Sequence, residues 1–187
     1  MILKIVGFGH PSLRRKNKEI TPDFPELDIL IENMFETMYN ASGVGLAAPQ
    51  VDIGYRIFIV DGEPMGDLLE DGQSMEGFKK TFINPEKIEE IGKKWAFEEG
   101  CLSIPDLRED VRRPDTITLK YLDENLKEHT ETFTGMKARI VQHEYDHLEG
   151  VLFTDLISGL RKQVVKKRLT KISKGDTNAA YPMKFKH

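Results

Sequence analysis

The nine residues QHEYDHLEG, positions 142–150, restrict the fold of this chain more than any other stretch. Residues four apart lie on one face of an α-helix, one turn from each other. On a helix, His143 and His147 can therefore both reach one metal ion. Glu144 lies about 100° around the helix from His143, where its carboxylate can reach a water beside the ion without binding the ion. The stretch predicts a helix with a metal-binding face.

A plainer interpretation is that the two histidines and their acidic neighbours are ordinary solvated residues of a charged helix. A catalytic metal would need a third protein ligand and one open position. Downstream, Gly150 stands where the metzincin pattern has a glycine, but Phe153 occupies the place of its third histidine. No glutamate follows Glu149. The downstream sequence therefore offers no good third ligand.

Upstream, the only cysteine is Cys101, in the stretch EEGCLSIP. A lone cysteine is more often a small buried apolar residue than a ligand. Here, however, Gly100 and Pro105 flank it and interrupt regular strand pairing, as happens where the backbone must approach a site closely. A thiolate from Cys101 would complete a set of one cysteine and two histidines and would leave a fourth position for water.

The composition limits the class of protein. The chain has 187 residues, which suits one domain. A net charge of −4 and an isoelectric point near 5.8 argue against binding of nucleic acid over the whole surface. A single cysteine excludes an internal disulfide. The first apolar run is too short for a signal peptide or a membrane span, so we expect a cytoplasmic protein without a membrane segment. We expect a monomer.

Hydrophobic periodicity predicts an α+β fold. Helices are expected at 23–40, 136–150 and 158–174, strands at 2–6, 55–61, 80–92, 94–105 and 151–157, and a hairpin over 115–133. The expected architecture consists of mostly antiparallel short strands around a central helix that carries HEYDH, plus an N-terminal and a C-terminal helix.

The same pattern predicts one catalytic domain over residues 1–175, in which 158–174 is a basic amphipathic helix. Its expected apolar members are Leu160, Val164, Val165, Leu169 and Ile172. The acidic, glycine-rich stretch 62–77 is expected to be a surface loop, and residues 176–187 a polar tail.

Three stretches in this order resemble the peptide deformylase family, and the resemblance runs from about residue 3 to about residue 172. They are GVGLAAPQ (43–50), EGCLSIP (99–105) and QHEYDHLEG (142–150). The EGCLSIP form resembles the bacterial subclass. The resemblance implies a metal-dependent hydrolase that removes the formyl group from the N-terminal formylmethionine of nascent polypeptides and releases formate.

The resemblance also implies roles for residues at matching positions. One divalent metal per chain would be bound by Cys101, His143 and His147. Glu144 would be the general base and acid, and the Gln50 side chain and Leu102 N–H would stabilise the oxyanion. Gly45 would meet the substrate backbone. Further substrate-binding positions would be Val44, Gly100, Ile104, Met136, Arg139 and Ile140.

The thiolate gives a physical reason for the metal that the resemblance implies. A cysteine ligand donates more charge than a third imidazole would, which makes the ion a milder Lewis acid. This favours Fe(2+) in the cell, with Zn(2+), Ni(2+) or Co(2+) as substitutes, although the ligands alone do not select the metal.

The C-terminal helix carries a local positive charge. Residues 159–174 contain seven basic side chains and no acid, namely Arg161, Lys162, Lys166, Lys167, Arg168, Lys171 and Lys174. They form either a solvated helix face or a surface for a phosphate backbone. Because the expected substrate is a nascent chain, the expected partner is ribosomal RNA near the exit tunnel.

Three other functions fit parts of the sequence. A zinc endopeptidase of the H-E-x-x-H type would cleave inside unformylated peptides, but its downstream ligand is missing. A catalytically silent, ribosome-associated relative would have no need of Glu144, Gln50 and Cys101 together. An RNA-binding protein with a structural metal leaves GVGLAAPQ unexplained and lacks a fourth ligand.

Overall fold

The computed structural model describes residues 1–66 and 73–186. Its helices are α1 (Leu27–Asn40), α2 (Gly135–Leu148), α3 (Phe153–Leu156) and α4 (Gly159–Ile172). Its strands are β1 (Ile5–Val6), β2 (Gly45–Ala47), β3 (Ile57–Asp61), β4 (Lys79–Cys101), β5 (Ile104–Leu122), β6 (Glu128–Thr134) and β7 (Met183–Lys184). Short 3₁₀ helices cover Pro11–Arg14, Ala48–Val51 and Glu63–Met65.

Five strands form one antiparallel sheet in the order β2-β3-β4-β5-β6. Register shifts interrupt the pairing of β4 with β5. One shift contains Pro85, which has no N–H to donate, and another contains Gly92, at φ 95°. Such irregularities bend a strand without ending it. The strands predicted separately at 80–92 and 94–105 are therefore one continuous strand that ends at Cys101.

The predicted hairpin over 115–133 is present in the pairing of β5 with β6. Its turn is closed by Asp123, whose Oδ1 accepts hydrogen bonds from the backbone N–H groups of Asn125 (2.9 Å) and Lys127 (3.0 Å). Short polar side chains commonly fix turns in this way. The hairpin, the antiparallel sheet and the helices confirm the predicted α+β class.

Strand β3 separates two parts of the core because successive side chains point to opposite faces. Phe58 and Val60 pack in the cluster that also contains the buried face of α2. Ile57 and Ile59 pack in the cluster that contains Met34 and Met38 of α1. Both faces of the strand are buried, which explains why its sequence is almost uniformly apolar.

Helix α2 is the central helix that the sequence predicts. The four residues predicted to pack from it, Ile140, Val141, Tyr145 and Leu148, are all buried. The helix ends at Leu148, and Gly150 adopts φ 72° just beyond it. Glycine takes this left-handed conformation at little cost, which makes it a common helix terminator. Packing and termination together place the HEYDH face at a defined position.

The prediction of a strand at 151–157 is wrong, since this stretch contains helix α3. Its N-terminus is capped by Asp155, whose Oδ2 accepts a hydrogen bond from the Leu152 N–H (2.8 Å). Leu152 and Phe153 are buried. A short apolar run can be a strand or a buried helical segment, and periodicity alone does not distinguish them.

Helix α4 begins after Ser158, whose side chain accepts a hydrogen bond from the Arg161 N–H. Val165 and Ile172 are buried as predicted. Leu160 and Val164 are 72% and 58% exposed, so the prediction that they pack is wrong. Only a narrow stripe of this helix meets the rest of the molecule.

The described residues beyond α4 return to the start of the chain. Strand β7 pairs in parallel with β1 in a separate two-stranded sheet. The predicted surface loop at 62–77 lies partly outside the described residues, but Met75 within it is fully buried. Across the described ranges, none of the helices has the length and apolar character that a membrane crossing requires.

Candidate active site

Two structural elements bring the three candidate metal ligands together. Helix α2 places His143 and His147 on one face, with ring centroids 5.1 Å apart. The end of β4 places Cys101 against them, with its Sγ 3.3 Å from the His147 Nε2. One ligand atom from each residue lies within 4.8 Å of the others. The fold therefore brings Cys101 next to α2, although the two are far apart in the sequence.

A register shift explains why Cys101 faces the helix. The pairing of β4 with β5 changes register between Gly100 and Cys101, and Cys101 then pairs with Ile104 across a tight bend. The bend at Leu102 and Ser103 brings the backbone beside the ligand cluster. This is the close approach that the flanking glycine and proline indicate in the sequence.

The donor set fits a divalent cation. A cysteine sulfur and two imidazoles suit Zn(2+), Fe(2+) and related ions, and three protein ligands leave one position for a reactant. The Nδ1 of His143 lies 2.9 Å from the Glu99 Oε2. A carboxylate on one ring nitrogen fixes the ring and directs the other nitrogen towards a metal. Glu99 thus orients His143 towards the cluster.

Glu99 is the centre of a buried ion network that the sequence analysis missed. Its carboxylate accepts two hydrogen bonds from Arg113 (2.7 and 3.1 Å) and one from Arg139 (2.9 Å). Arg113 also donates to the Asp146 Oδ2 at 2.6 Å. Burial opposes the charged form, but the bonds to His143 and Arg113 outweigh it and hold the pKa of Glu99 far below its ordinary value.

Strand alternation was the signal that could have revealed Glu99. Trp95, Phe97 and Glu99 are two residues apart, so they share one face of β4. Trp95 and Phe97 pack against the core. A carboxylate on the same inward face requires charged partners, and the arginines of β5 and α2 supply them.

Glu144 lies on α2 beside the ligands and is 5% exposed. Its Oε2 has no hydrogen-bond partner within the described part of the chain. Burial raises the pKa of Glu144 to about 7; the charge of His143 opposes this rise and that of Glu99 adds to it. A carboxyl group with a pKa near neutrality suits proton transfer in either direction.

Gly45 on β2 lies directly against Glu144. A Cβ at position 45 would lie 2.7 Å from the Cδ of Glu144 and 2.8 Å from its Cγ. Non-bonded carbon atoms do not approach this closely, so position 45 excludes any larger residue while Glu144 stays in place. The glycine predicted to meet the substrate backbone also makes room for the carboxylate.

Gln50 is held in a defined orientation by the 3₁₀ helix Ala48–Val51. Its Oε1 accepts a hydrogen bond from the Ala47 N–H at 2.8 Å. The opposite end of the amide, Nε2, therefore points towards the Cys101 Sγ (3.5 Å) and the Ser103 Oγ (3.3 Å). This places a neutral N–H donor next to the ligand cluster, at the residue to which the family resemblance assigns an oxyanion donor.

A cavity of about 640 Å³ opens beside the cluster. Every predicted site residue except His147 lines it, namely Val44, Gly45, Gln50, Gly100, Cys101, Leu102, Ile104, Met136, Arg139, Ile140, His143 and Glu144. His147 is buried behind the wall. The cavity wall also includes residues that were not predicted from the sequence, among them Met65, Phe97, Leu107 and Arg108.

Arg139 forms part of the cavity wall. Its guanidinium lies 4.5 Å from the Trp95 ring centroid and donates to the carbonyls of Trp95 (2.8 Å) and Val111 (3.0 Å), as well as to Glu99. Such contacts combine cation–π attraction with hydrogen bonds. The arginine is therefore fixed, and Trp95 packs against it.

Fold and site together define the class of protein. An α+β scaffold presents an H-E-x-x-H helix and a cysteine to an open cavity, the arrangement of a metal-dependent hydrolase. The family model of polypeptide deformylase matches residues 2–163, and the chain belongs to this family.

Curated relatives cover almost the entire chain. A peptide deformylase of Christiangramia forsetii is 52% identical, over 99% of this chain and 96% of the relative. One of Flavobacterium psychrophilum is 54% identical, over 99% and 97%. Among solved structures, the Plasmodium falciparum peptide deformylase has a TM-score of 0.81 at 35% identity, covering 92% of this chain and 96% of that one. The Legionella pneumophila enzyme has a TM-score of 0.78 at 35% identity, covering 93% and 96%.

Proposed function

We propose a division of roles for the reaction of this family, removal of the N-formyl group from the formylmethionine of nascent polypeptides with release of formate. Cys101, His143 and His147 hold one divalent cation, and Glu144 transfers the proton. The observation that carries the proposal is the position of Glu144, buried beside three converging ligands with one carboxylate oxygen unpaired among the described residues.

A divalent cation held by Cys101, His143 and His147 would lower the pKa of a water molecule from about 16 towards about 7. The Glu144 Oε2 accepts a proton from the attacking water as the water oxygen bonds to the formyl carbon. The same carboxyl group then donates the proton to the amine that leaves as the formyl C–N bond breaks.

Two neutral donors stabilise the negative oxygen that develops on the formyl carbon. They are the Gln50 Nε2, fixed through the Ala47 N–H, and the backbone N–H of Leu102 in the bend after Cys101. Donors that are already oriented need no reorganisation during the reaction, and loss of one typically lowers the rate by about 100- to 1000-fold.

The methionine side chain binds in the apolar part of the cavity. Val44, Ile104, Met136 and Ile140 supply branched and flexible side chains there, and Met65 and Phe97 extend the same wall. A thioether chain suits such a pocket because it is unbranched and polarizable. Gly45 and Gly100 leave room for the peptide backbone. The fixed Arg139 closes one side of the pocket.

We propose Fe(2+) as the metal in the cell, with Zn(2+), Ni(2+) or Co(2+) as substitutes. The thiolate supports this choice because it donates more charge than a third imidazole would and makes the bound ion a milder Lewis acid. It also suits a reducing cytoplasm, where Cys101 stays available as a ligand.

The basic helix α4 is proposed to contact ribosomal RNA near the exit tunnel. Three of its seven basic residues form ion pairs within the molecule, namely Arg161 with Glu109, Arg168 with Asp106 and Lys171 with Asp176. The other four are exposed and form no ion pair within the described ranges, namely Lys162, Lys166, Lys167 and Lys174. These lysines supply charge for phosphate groups.

The activity is tested on matched tripeptides that begin with formyl-Met, acetyl-Met or free Met. The protein is purified without oxygen and loaded with ferrous iron, and free amine and formate are measured. We expect both products from the formyl peptide alone. Internal cleavage of the unformylated peptide would indicate the endopeptidase, and a metal-loaded protein that releases neither product would indicate the silent relative.

A further inference from the structure

The C-terminal strap, residues 176–186, crosses the outside of the segment that follows Cys101. The Tyr181 hydroxyl donates a hydrogen bond to the Leu102 carbonyl at 2.8 Å. Nearer α4, the Asn178 N–H and the Thr177 hydroxyl both donate to the Asp106 Oδ2, at 2.8 and 3.0 Å. The strap thus holds the segment 101–106 at both of its ends.

The strap is itself anchored at its far end. Strand β7 pairs with β1, and the Phe185 ring occupies the space beside Gly7, where an added Cβ would lie 3.1 Å from the ring Cζ. Lys184 donates to the Asp52 Oδ2 at 2.8 Å. Asp52 directly follows the 3₁₀ helix that holds Gln50. The strap therefore contacts the supports of both proposed oxyanion donors, Leu102 and Gln50.

The inner side of the same segment faces the substrate. Cys101, Leu102, Ile104, Pro105 and Asp106 all line the cavity. Tyr181 is partly buried and packs against the core. Burial raises the pKa of Tyr181 above its ordinary value of 10.0, so its hydroxyl stays protonated and remains a donor across the neutral range.

We propose that Tyr181 is a positioning residue, which fixes the backbone at Leu102 so that the Leu102 N–H meets the developing oxyanion. The carbonyl that Tyr181 holds and the N–H that faces the substrate belong to the two peptide planes joined at the Leu102 Cα. Cys101 restrains one plane and Tyr181 restrains the other. This inference rests on the role of Leu102 in the proposed function.

The effect on the reaction follows from geometry. A donor displaced by about 1 Å can lower a rate about 100-fold even when the altered residue never touches the substrate. Loss of one neutral hydrogen bond should displace the Leu102 N–H by less than about 1 Å. For Tyr181→Phe we expect kcat to fall about 3- to 10-fold. KM should stay within about twofold, because the oxyanion forms only in the transition state.

Tyr121→Phe is the matched control. The Tyr121 hydroxyl also donates a 2.7 Å hydrogen bond, to the Glu131 Oε2, but it lies on the β5–β6 hairpin away from the strap. Both variants lose one partly buried hydrogen bond from a tyrosine hydroxyl. If the strap only stabilises the fold, both should lose similar thermal stability and neither should change kcat.

A second readout does not depend on activity. The Phe8 N–H donates to the Ser103 carbonyl at 2.8 Å, so hydrogen exchange at the Phe8 amide of the zinc-loaded protein reports movement of the bend. We expect faster exchange in Tyr181→Phe than in the parent or in Tyr121→Phe. Unchanged exchange together with unchanged kcat would overturn the proposal, as would an equal loss of kcat in Tyr121→Phe.

Failure of the proposed function is recognised separately. A parent enzyme that releases no formate, or a Gln50→Ala variant as active as the parent, would reject the proposed reaction or its oxyanion site. The exchange experiment would then still decide whether Tyr181 holds the bend. Faster exchange would support that part of the inference, and unchanged exchange would overturn it.

Discussion

Gly45 and Glu144 face each other so closely that position 45 has no room for a side chain. The Cγ and Cδ of Glu144 would both lie within 2.8 Å of a Cβ at Gly45. Strand β2 and helix α2 therefore act together to place the Glu144 carboxylate beside the ligand cluster.

This contact predicts the effect of Gly45→Ala. The added methyl group must displace Glu144 from the cluster, and the proposed proton transfer depends on the position of its carboxylate. We expect formate release to fall by at least about 100-fold, while metal content, measured on the same sample, stays at one ion per chain. Gly159→Ala is the control, because a Cβ at Gly159 meets nothing within 4 Å. Parental activity in Gly45→Ala would contradict the proposed role of Glu144.

Glu99 and Glu98 are neighbours in the sequence with opposite environments. Glu99 is buried with Arg113 and Arg139, whereas Glu98 is 63% exposed in its side chain and lies 3.9 Å from Arg108. Glu99→Gln leaves buried arginine charge without a matching carboxylate, so we expect the free energy of unfolding to fall by about 3–5 kcal/mol. Glu98→Gln should change it by less than about 0.5 kcal/mol.

Urea denaturation of the metal-free proteins measures both values. Without metal, a change in metal binding by His143 cannot contribute to the measured free energy of unfolding. Equal losses of stability in the two variants would show that the network around Glu99 does not stabilise the fold.

Cys101→Ser tests the ligand set. A hydroxyl is a poor replacement for a thiolate as a ligand to soft or borderline cations. We expect the affinity for Co(2+) to fall at least about 10-fold, and the thiolate-to-metal charge-transfer band of the cobalt-loaded parent to disappear. Chelation of the metal should lower the melting temperature of the parent, since a bound ion stabilises the folded state. An unchanged cobalt spectrum in Cys101→Ser would exclude the cysteine as a ligand.

The four exposed lysines of α4 predict a salt-dependent contact with ribosomes. Replacing Lys162, Lys166, Lys167 and Lys174 by alanine should weaken co-sedimentation and reduce the slope of log K against log salt by about 3. Activity on a short formyl peptide should not change. Lys93→Ala with Lys94→Ala, on the exposed part of β4, is the control. Undiminished binding of the fourfold variant would contradict the proposed contact.

Predictions from the sequence were most accurate where a single helix or hairpin determined the geometry. The spacing of His143 and His147 defines one face of a helix, and strand alternation defined the β5–β6 hairpin. Predictions were less accurate where tertiary contacts determine the secondary structure. Pairing with β5 keeps β4 continuous past Pro85 and Gly92. The cap from Asp155 favours helix α3 over a strand in an apolar stretch.

The parts of the site that the sequence analysis missed depend on residues far apart in the chain. Glu99 is explained only by arginines on β5 and α2, which no local pattern places beside it. Tyr181 stands in a polar-looking tail, and its contact with Leu102 spans 79 positions. Cys101 could be assigned to the metal because the family resemblance supplied the long-range relationship that periodicity lacks.

The most direct test of the central claim compares the parent with Glu144→Gln, both purified without oxygen, loaded with ferrous iron and assayed on a formyl-Met tripeptide. The amide has nearly the shape of the carboxylate but cannot accept the proton. We expect one iron per chain in both proteins, rapid formate release by the parent, and a rate at least about 100-fold lower in the variant. Equal rates with equal metal content would contradict the central claim.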